Sequence, residues 1–263
     1  MKINHREHVV GVATVAGSSV IFAVMAGLIR YASHLDAWVM ALTRFGIGIA
    51  LIGTAAMGRK IALNFVRSRM LFLRGLLGGV GVVLYYISII HIGLAKGTVI
   101  IYSYPIFAAI GGALFLGERL DPRRFGLIGL AFVGLYLTAM GRWSLDVGFA
   151  LYEWLALLGA FLAGIVVCLI KKLHDTESTQ SIFTAQCVVG FWVVLMPAQF
   201  SAGAIGVGGA IIIVAAGLLA AAGQLMMTYG FKYVEASTGA LLGMLTPVLN
   251  VVAGLLLFGE AVT

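Results

Sequence analysis

Apolar runs of roughly 20 residues follow one another along the chain, separated by short polar stretches. Nine are present, at about 9–30, 37–57, 70–91, 97–116, 124–141, 150–171, 180–200, 209–230 and 236–258. At about 1.5 Å of rise per residue, each covers the hydrocarbon core of a bilayer, so each predicts a membrane-spanning helix. The first run follows the charged MKINHREH, as a signal peptide's apolar region would, but it continues from about Val9 to Ile29. That length predicts a retained helix.

The pattern repeats at a fixed interval. AKGTVIIYSYPIFAAIGGALFLGERL, Ala95 to Leu120, has a cognate in STGALLGMLTPVLNVVAGLLLFGEAV, Ser237 to Val262. Each copy is broken by a proline, Pro105 or Pro247, and closed by Gly117-Glu118 or Gly259-Glu260. Both landmarks lie 142 residues apart (247 − 105 and 260 − 118). A constant offset marks a duplicated unit. Applied to whole spans, it carries the first four onto the sixth to ninth, so the unit holds five helices. Because five is odd, the second unit is expected upside down relative to the first. The expected fold is an all-α integral membrane protein of two inverted five-helix repeats, residues 1–142 and 143–263, with nine spans present. The same offset puts a tenth span at about 266–283, past Thr263; a truncated form is the expected explanation, and a nine-helix protein with its carboxyl terminus outside is the alternative.

Composition agrees with a membrane protein, since 62% of residues are hydrophobic and 10% charged, against roughly 25% charged in soluble domains. The 35 glycines suit close helix contact in lipid, within one chain or between two, so a homodimer stays open. The net charge of +7 sits in clusters between spans rather than in a basic domain, which argues against nucleic acid. With the amino terminus inside, 12 Lys and Arg fall in inside segments (Lys2, Arg6; Arg59, Lys60, Arg67, Arg69; Arg119, Arg123, Arg124; Lys171, Lys172; Lys232) and three outside (Arg30, Lys96, Arg142). That asymmetry predicts a cytoplasmic amino terminus in the inner membrane. Arg74 is placed at the edge of its span.

Catalysis has little support. His5, His8, His34, His91 and His174 fall at the terminus, in loops or at span ends without metal-ligand spacing, and no phosphate-binding glycine loop occurs. No cofactor, metal or enzymatic role is expected, and ATP-driven pumping is excluded for this chain alone. Cys168 and Cys187 fall inside spans and are expected as packing residues.

Two five-helix halves, each closing its fourth helix with a proline-containing run and Gly-Glu, resemble the drug/metabolite transporter superfamily, in particular its EamA-type ten-helix members. Arg44-Phe45 in TRFGIGIA, Arg74-Gly75 in LRGLLGG and Gly223-Gln224 fit the same pattern, and the likeness covers the whole chain. The resemblance implies a helical bundle in which spans one, three, four, six, eight and nine surround a central cavity, with alternating access and export of metabolites or drugs. Substrates differ widely among members, so the likeness leaves the substrate open.

Several residues could carry that work. Pro105 and Pro247 each remove an amide donor inside a span, which suits a hinge or a cavity wall. Arg44, about seven residues into its span, is costly in lipid and is expected either to anchor an anionic group of the substrate or to snorkel outwards or bind carbonyls. Tyr85 and Ser88 share a face of the third span; Tyr102 lies on the fourth, Gln224 and Thr228 on the eighth, Thr246 and Asn250 on the ninth. These stripes predict a mostly apolar cavity with a few hydrogen-bonding groups, suited to a small amphipathic substrate. Glu118 and Glu260 are expected as gate or brace residues, and Glu153 as an interfacial one.

The resulting expectation is a secondary transporter that moves a small organic metabolite or drug-like solute, in the direction of export. The alternatives are uptake of a nucleoside-like or vitamin-like metabolite and a membrane scaffold that does not transport.

Overall fold

The computed structural model describes residues 4–58, 68–118, 122–123, 126–130, 133–134, 150–201 and 205–259. Glu260 and most of the fifth span, 124–141, lie outside the described residues. Ten long helices account for most of the rest: α1 His5–Tyr31, α2 Ala37–Met57, α3 Arg69–Ile92, α4 Leu94–Ile101, α5 Tyr104–Leu116, α6 Leu151–Leu173, α7 Thr179–Phe200, α8 Val207–Gly230, α9 Ala236–Gly243 and α10 Leu245–Phe258. With α4–α5 and α9–α10 each counted as one broken span, the described residues contain eight helices long and apolar enough to cross a membrane.

Short polar residues start these helices. The Asp36 carboxylate accepts from the Trp38 amide at 2.7 Å, Ser68 caps α3 at the Leu71 amide, and Ser178 caps α7 at the Ser181 amide. Glycine ends both broken spans: Gly117 (φ 67°) after α5 and Gly259 (φ 59°) after α10 take the left-handed conformation that L side chains resist. After Gly117, the Glu118 amide donates back to the Gly112 carbonyl at 3.1 Å, closing the helix end. The glycine of the repeated Gly-Glu pair is therefore a helix stop.

Helix partners follow the internal repeat. α1 packs on α8 as α6 packs on α3, α2 on α8 as α7 on α3, and α4 on α10 as α9 on α5. These pairings interchange when α1–α5 are exchanged for α6–α10, whereas α3 also packs on α4 without an equal contact of α8 on α9. Glycine makes the closest crossings possible: a Cβ on Gly79 of α3 would stand 2.8 Å from the Cα of Gly190 on α7. The outward faces carry Leu114, Phe115, Trp192, Phe200 and Leu256, all exposed, as a surface solvated by lipid requires. Cys168 and Cys187 are free and buried.

Candidate functional site

The two broken spans lie side by side. α4 runs to Ile101, the backbone turns at Tyr102 and Ser103, and α5 begins at Tyr104 with Pro105 in its first turn. In the cognate span, α9 stops at Gly243 and α10 resumes at Leu245, with Pro247 again in the first turn. Proline fits there because the first-turn amides have no partner within the helix. The Tyr104 hydroxyl donates to the Ala240 carbonyl of α9 at 3.4 Å and occupies the space a Cβ on Gly243 would need.

Beside these breaks lies a cavity of about 140 Å³, walled by α1, α2, α3, α6, α7 and α8 together with Ile101, Tyr102 and Tyr104. Its wall is mostly apolar, as in Phe22, Val82 and Met227, with seven large side chains that carry polar groups: Arg44, Arg74, Tyr85, Tyr102, Tyr104, Gln186 and Gln224. The wall includes α2 and α7, which the resemblance left outside the cavity, and no described residue of α9 or α10 lines it.

Arg44 is 6% exposed and points into the protein, not toward headgroups. Its Nη1 donates to the Tyr86 hydroxyl at 3.3 Å, and its Nη2 donates to the Gln224 side-chain oxygen at 3.2 Å. The Tyr86 ring lies 5.9 Å from the guanidinium carbon. Gln224 is oriented from below by Thr228, whose hydroxyl accepts from the Gln224 amide at 3.5 Å.

Arg74, placed by the sequence at a span edge, is a correction. It is the sixth residue of α3, fully buried, and its Nη2 donates to the Gln186 side-chain oxygen at 2.8 Å. Its Nε and Nη1 have no hydrogen-bond partner in the protein. Gln186 was absent from the expected site, although the repeat offset points to it: 44 + 142 = 186. The offset relates whole spans and also single polar positions within them.

The other expected residues separate into two groups. Tyr85 and Tyr102 line the cavity, with ring centroids 6.4 Å apart. Ser88 lies outside the wall because its hydroxyl donates to the Leu84 carbonyl of its own helix at 2.7 Å. Thr246 ties α10 to α1 by donating to the Ser19 carbonyl at 3.0 Å. Asn250 is buried with neither amide atom hydrogen-bonded, and it lies near the Tyr85 hydroxyl without meeting hydrogen-bond geometry.

Charged groups also join the helix ends. The Glu118 carboxylate accepts from the Ala236 amide at 2.7 Å, and from the amide and hydroxyl of Ser237 at 3.4 and 3.3 Å, binding the end of α5 to the start of α9. Lys96 of α4 pairs with Glu153 of α6 at 2.6 Å; Glu153, expected at the interface, is 5% exposed.

Comparison with known proteins agrees with this architecture. The model of the EamA-like transporter family matches the chain twice, over residues 9–140 and 150–263. The chain belongs to the EamA-like transporter family. By that membership it is a multi-pass membrane protein of a transporter family. Over 173 residues, 65% of its length, it is 30% identical to the pseudopaline exporter CntI of Pseudomonas aeruginosa, and the match spans 60% of that exporter. A riboflavin transporter of Vibrio cholerae is 25% identical over 252 residues, 90% of this chain and 81% of that one. A riboflavin transporter of Rhizobium johnstonii is 27% identical over 72% of this chain and 62% of its own length. A solved crystal structure superposes with a TM-score of 0.75 over 98% of the chain and 90% of its own, at 17% identity, a likeness of fold alone.

Proposed function

We propose that this EamA-like protein is a secondary transporter that exports a small organic solute across the inner membrane by alternating access, with its amino terminus in the cytoplasm. The observation that carries this reading is the buried cavity beside the paired helix breaks, walled by helices of both halves and bearing Arg44, Arg74, Gln186 and Gln224. The moving bodies are the inverted repeats 1–142 and 143–263, rocking about that cavity. Pro105 and Pro247 serve as hinges, since no interior helical hydrogen bond has to break for the chain to bend there. Glu118 acts as a gate, because its bonds to the start of α9 span the two halves and must open if the halves separate at that end. Glu260 is the matching candidate from the repeat. Substrate contacts come from Arg44, Tyr85, Tyr102 and Gln224 in the wall, with Thr228 orienting Gln224. Similarity to an exporter supports the direction.

The test is solute flux in liposomes holding the purified protein, with Gly81→Val alongside. Gly81 lines the cavity, and a Cβ there meets nothing within 4 Å, so a side chain added there enters the cavity. Flux by the parent and its loss in Gly81→Val are expected. Equal flux in both would remove the cavity from the path. No flux of any solute, with a folded parent protein, would favour a scaffold. Similarity to riboflavin transporters supports uptake of a vitamin-like solute as a second reading, and riboflavin loaded on either side of the vesicle separates it from export.

A further inference from the structure

Two guanidiniums enter one buried cavity, and among its described lining residues there is no carboxylate. Arginine keeps its proton throughout the pH range in which proteins fold, so the wall carries two positive charges. Only neutral groups hold them: Tyr86 and Gln224 for Arg44, Gln186 for Arg74. A neutral amide positions a guanidinium without cancelling its charge. Buried charge without a counter-charge is strongly unfavourable in a membrane, and in functional sites a ligand supplies what the protein leaves out.

Arg74 has donors that the protein leaves unused. It is 0% exposed, yet its Nε and Nη1, which carry most of the guanidinium N–H donors, have no partner in the protein. Gly78 makes room for the guanidinium itself: a Cβ there would collide with Nη1 and would lie 3.2 Å from the Gln186 amide nitrogen. Arg44 enters the same cavity from α2, held by Tyr86 of α3 and Gln224 of α8, whereas the Arg74 guanidinium lies against Gly78. The wall between is apolar and aromatic, with Leu77, Val82 and Tyr85.

We infer that this cavity binds a small organic dianion, with one acidic group on Arg74 and the other directed to Arg44, and a short carbon skeleton against the apolar wall between them. The volume of about 140 Å³ is close to that of a cavity of about 150 Å³ known to admit benzene, so the skeleton is of roughly five or six carbons. Carriage of the dianion across the membrane rests on the transporter reading above, whereas its binding stands without it.

A series with one carbon skeleton and different charge tests the site: glutarate, pentanoate, pentane-1,5-diol and cadaverine, titrated against the purified chain in chloride-free buffer by calorimetry. Glutarate is expected to bind tightest and pentanoate about tenfold or more weaker, with no binding of the diol or the diamine. Arg74→Gln and Gly78→Ala are each expected to weaken glutarate by about tenfold or more. Arg74→Lys keeps the charge and should recover part of the loss, which separates a lost contact from a lost fold; a monodisperse chromatography peak checks each variant. Diol or diamine binding as tight as glutarate, glutarate binding unchanged in Arg74→Gln, or no binding of either acid would overturn the site. Chloride matching glutarate would overturn it too, as the mark of an inorganic anion site. The two proposals fail separately. Flux of neutral riboflavin without acid binding would leave the transporter and remove the dianion; glutarate binding without flux of any solute would do the reverse.

Discussion

Gln186 occupies in α7 the place that Arg44 occupies in α2. Each is the eighth residue of its helix (186 − 179 + 1 and 44 − 37 + 1), and each bonds to the third long helix of the opposite half, Gln186 with Arg74 on α3 and Arg44 with Gln224 on α8. Both arginines come from the first half of the chain and both amides from the second. The two helices offer matching positions, and a charge stands at only one of them. The cavity is therefore positive, where an Arg–Glu pairing at the same places would have made it neutral.

That excess charge has a consequence for stability. Replacing even a buried ion pair by apolar groups of similar volume is often neutral or stabilising by about 1–4 kcal/mol, and Arg74 has only a neutral amide as its partner. The double variant Arg74→Met, Gln186→Leu, which leaves neither partner orphaned, is expected to melt at or above the parent temperature without ligand and to lose transport. A clearly lower melting temperature would mean that the Arg74–Gln186 bond at 2.8 Å outweighs the burial cost.

Two glycines of α3, a half-turn apart, should respond oppositely. At Gly79 a new Cβ meets the Gly190 Cα at 2.8 Å, and backbone cannot yield as a side chain can, so Gly79→Ala is expected to destabilise by about 1–3 kcal/mol. At Gly81 the Cβ meets nothing within 4 Å, and Gly81→Ala should be neutral or stabilise by up to about 1 kcal/mol through helix propensity, while narrowing the cavity and slowing flux. Thermal unfolding in detergent checks both, and equal effects would contradict the α3–α7 crossing.

Glu118→Ala removes the acceptor for the first amides of α9, and a loss of about 1–2 kcal/mol is expected, as for other helix caps. Glu118→Gln keeps an acceptor oxygen and loses only the charge facing the helix dipole, so it should cost less than half as much. If the two variants melt together, the carboxylate braces something other than α9. A change in flux larger than the stability change explains would support the gate.

His174 lies just past α6, with Nδ1 2.8 Å from the Ile170 carbonyl and Nε2 3.2 Å from the Thr179 hydroxyl. Burial holds its pKa below the ordinary histidine value; the Ile170 carbonyl opposes this, and nearby Lys171 and Lys232 add to it. As pH falls through about 6.5 the unfolded chain takes up this proton while the folded loop does not. Stability is therefore whole above that pH and declines below it, down to the folded pKa. A fall in melting temperature between pH 7 and 5.5 is expected, with a flatter profile in His174→Gln; identical profiles would count against it.

Much of the arrangement was legible because membranes make sequences repetitive. Each span must be apolar for about 20 residues, which exposes helix limits to within a few positions, and a proline or Gly-Glu inside that background stands out. Individual polar side chains were less legible. Ser88 read as a cavity residue from its helical spacing, yet it turns to its own backbone, and Thr246, which lines a smaller adjoining cavity with Tyr102 and Tyr104, donates to α1, choices open to any hydroxyl in a helix. Arg74 read as a span edge because only five residues of α3 precede it, and one of these is Arg69.

The sequence by itself determined the helical membrane fold, the 142-residue repeat and the paired breaks, because bilayer thickness and backbone hydrogen bonding leave an apolar chain few other choices. Only the tertiary structure decided which polar groups share a cavity. Arg44 and Gln224 lie 180 residues apart, Arg74 and Gln186 lie 112 apart, and their meeting depends on glycine-level contact between helices of opposite halves. Side-chain direction at such a crossing depends on the packing of every neighbouring helix, which no local pattern in the chain records.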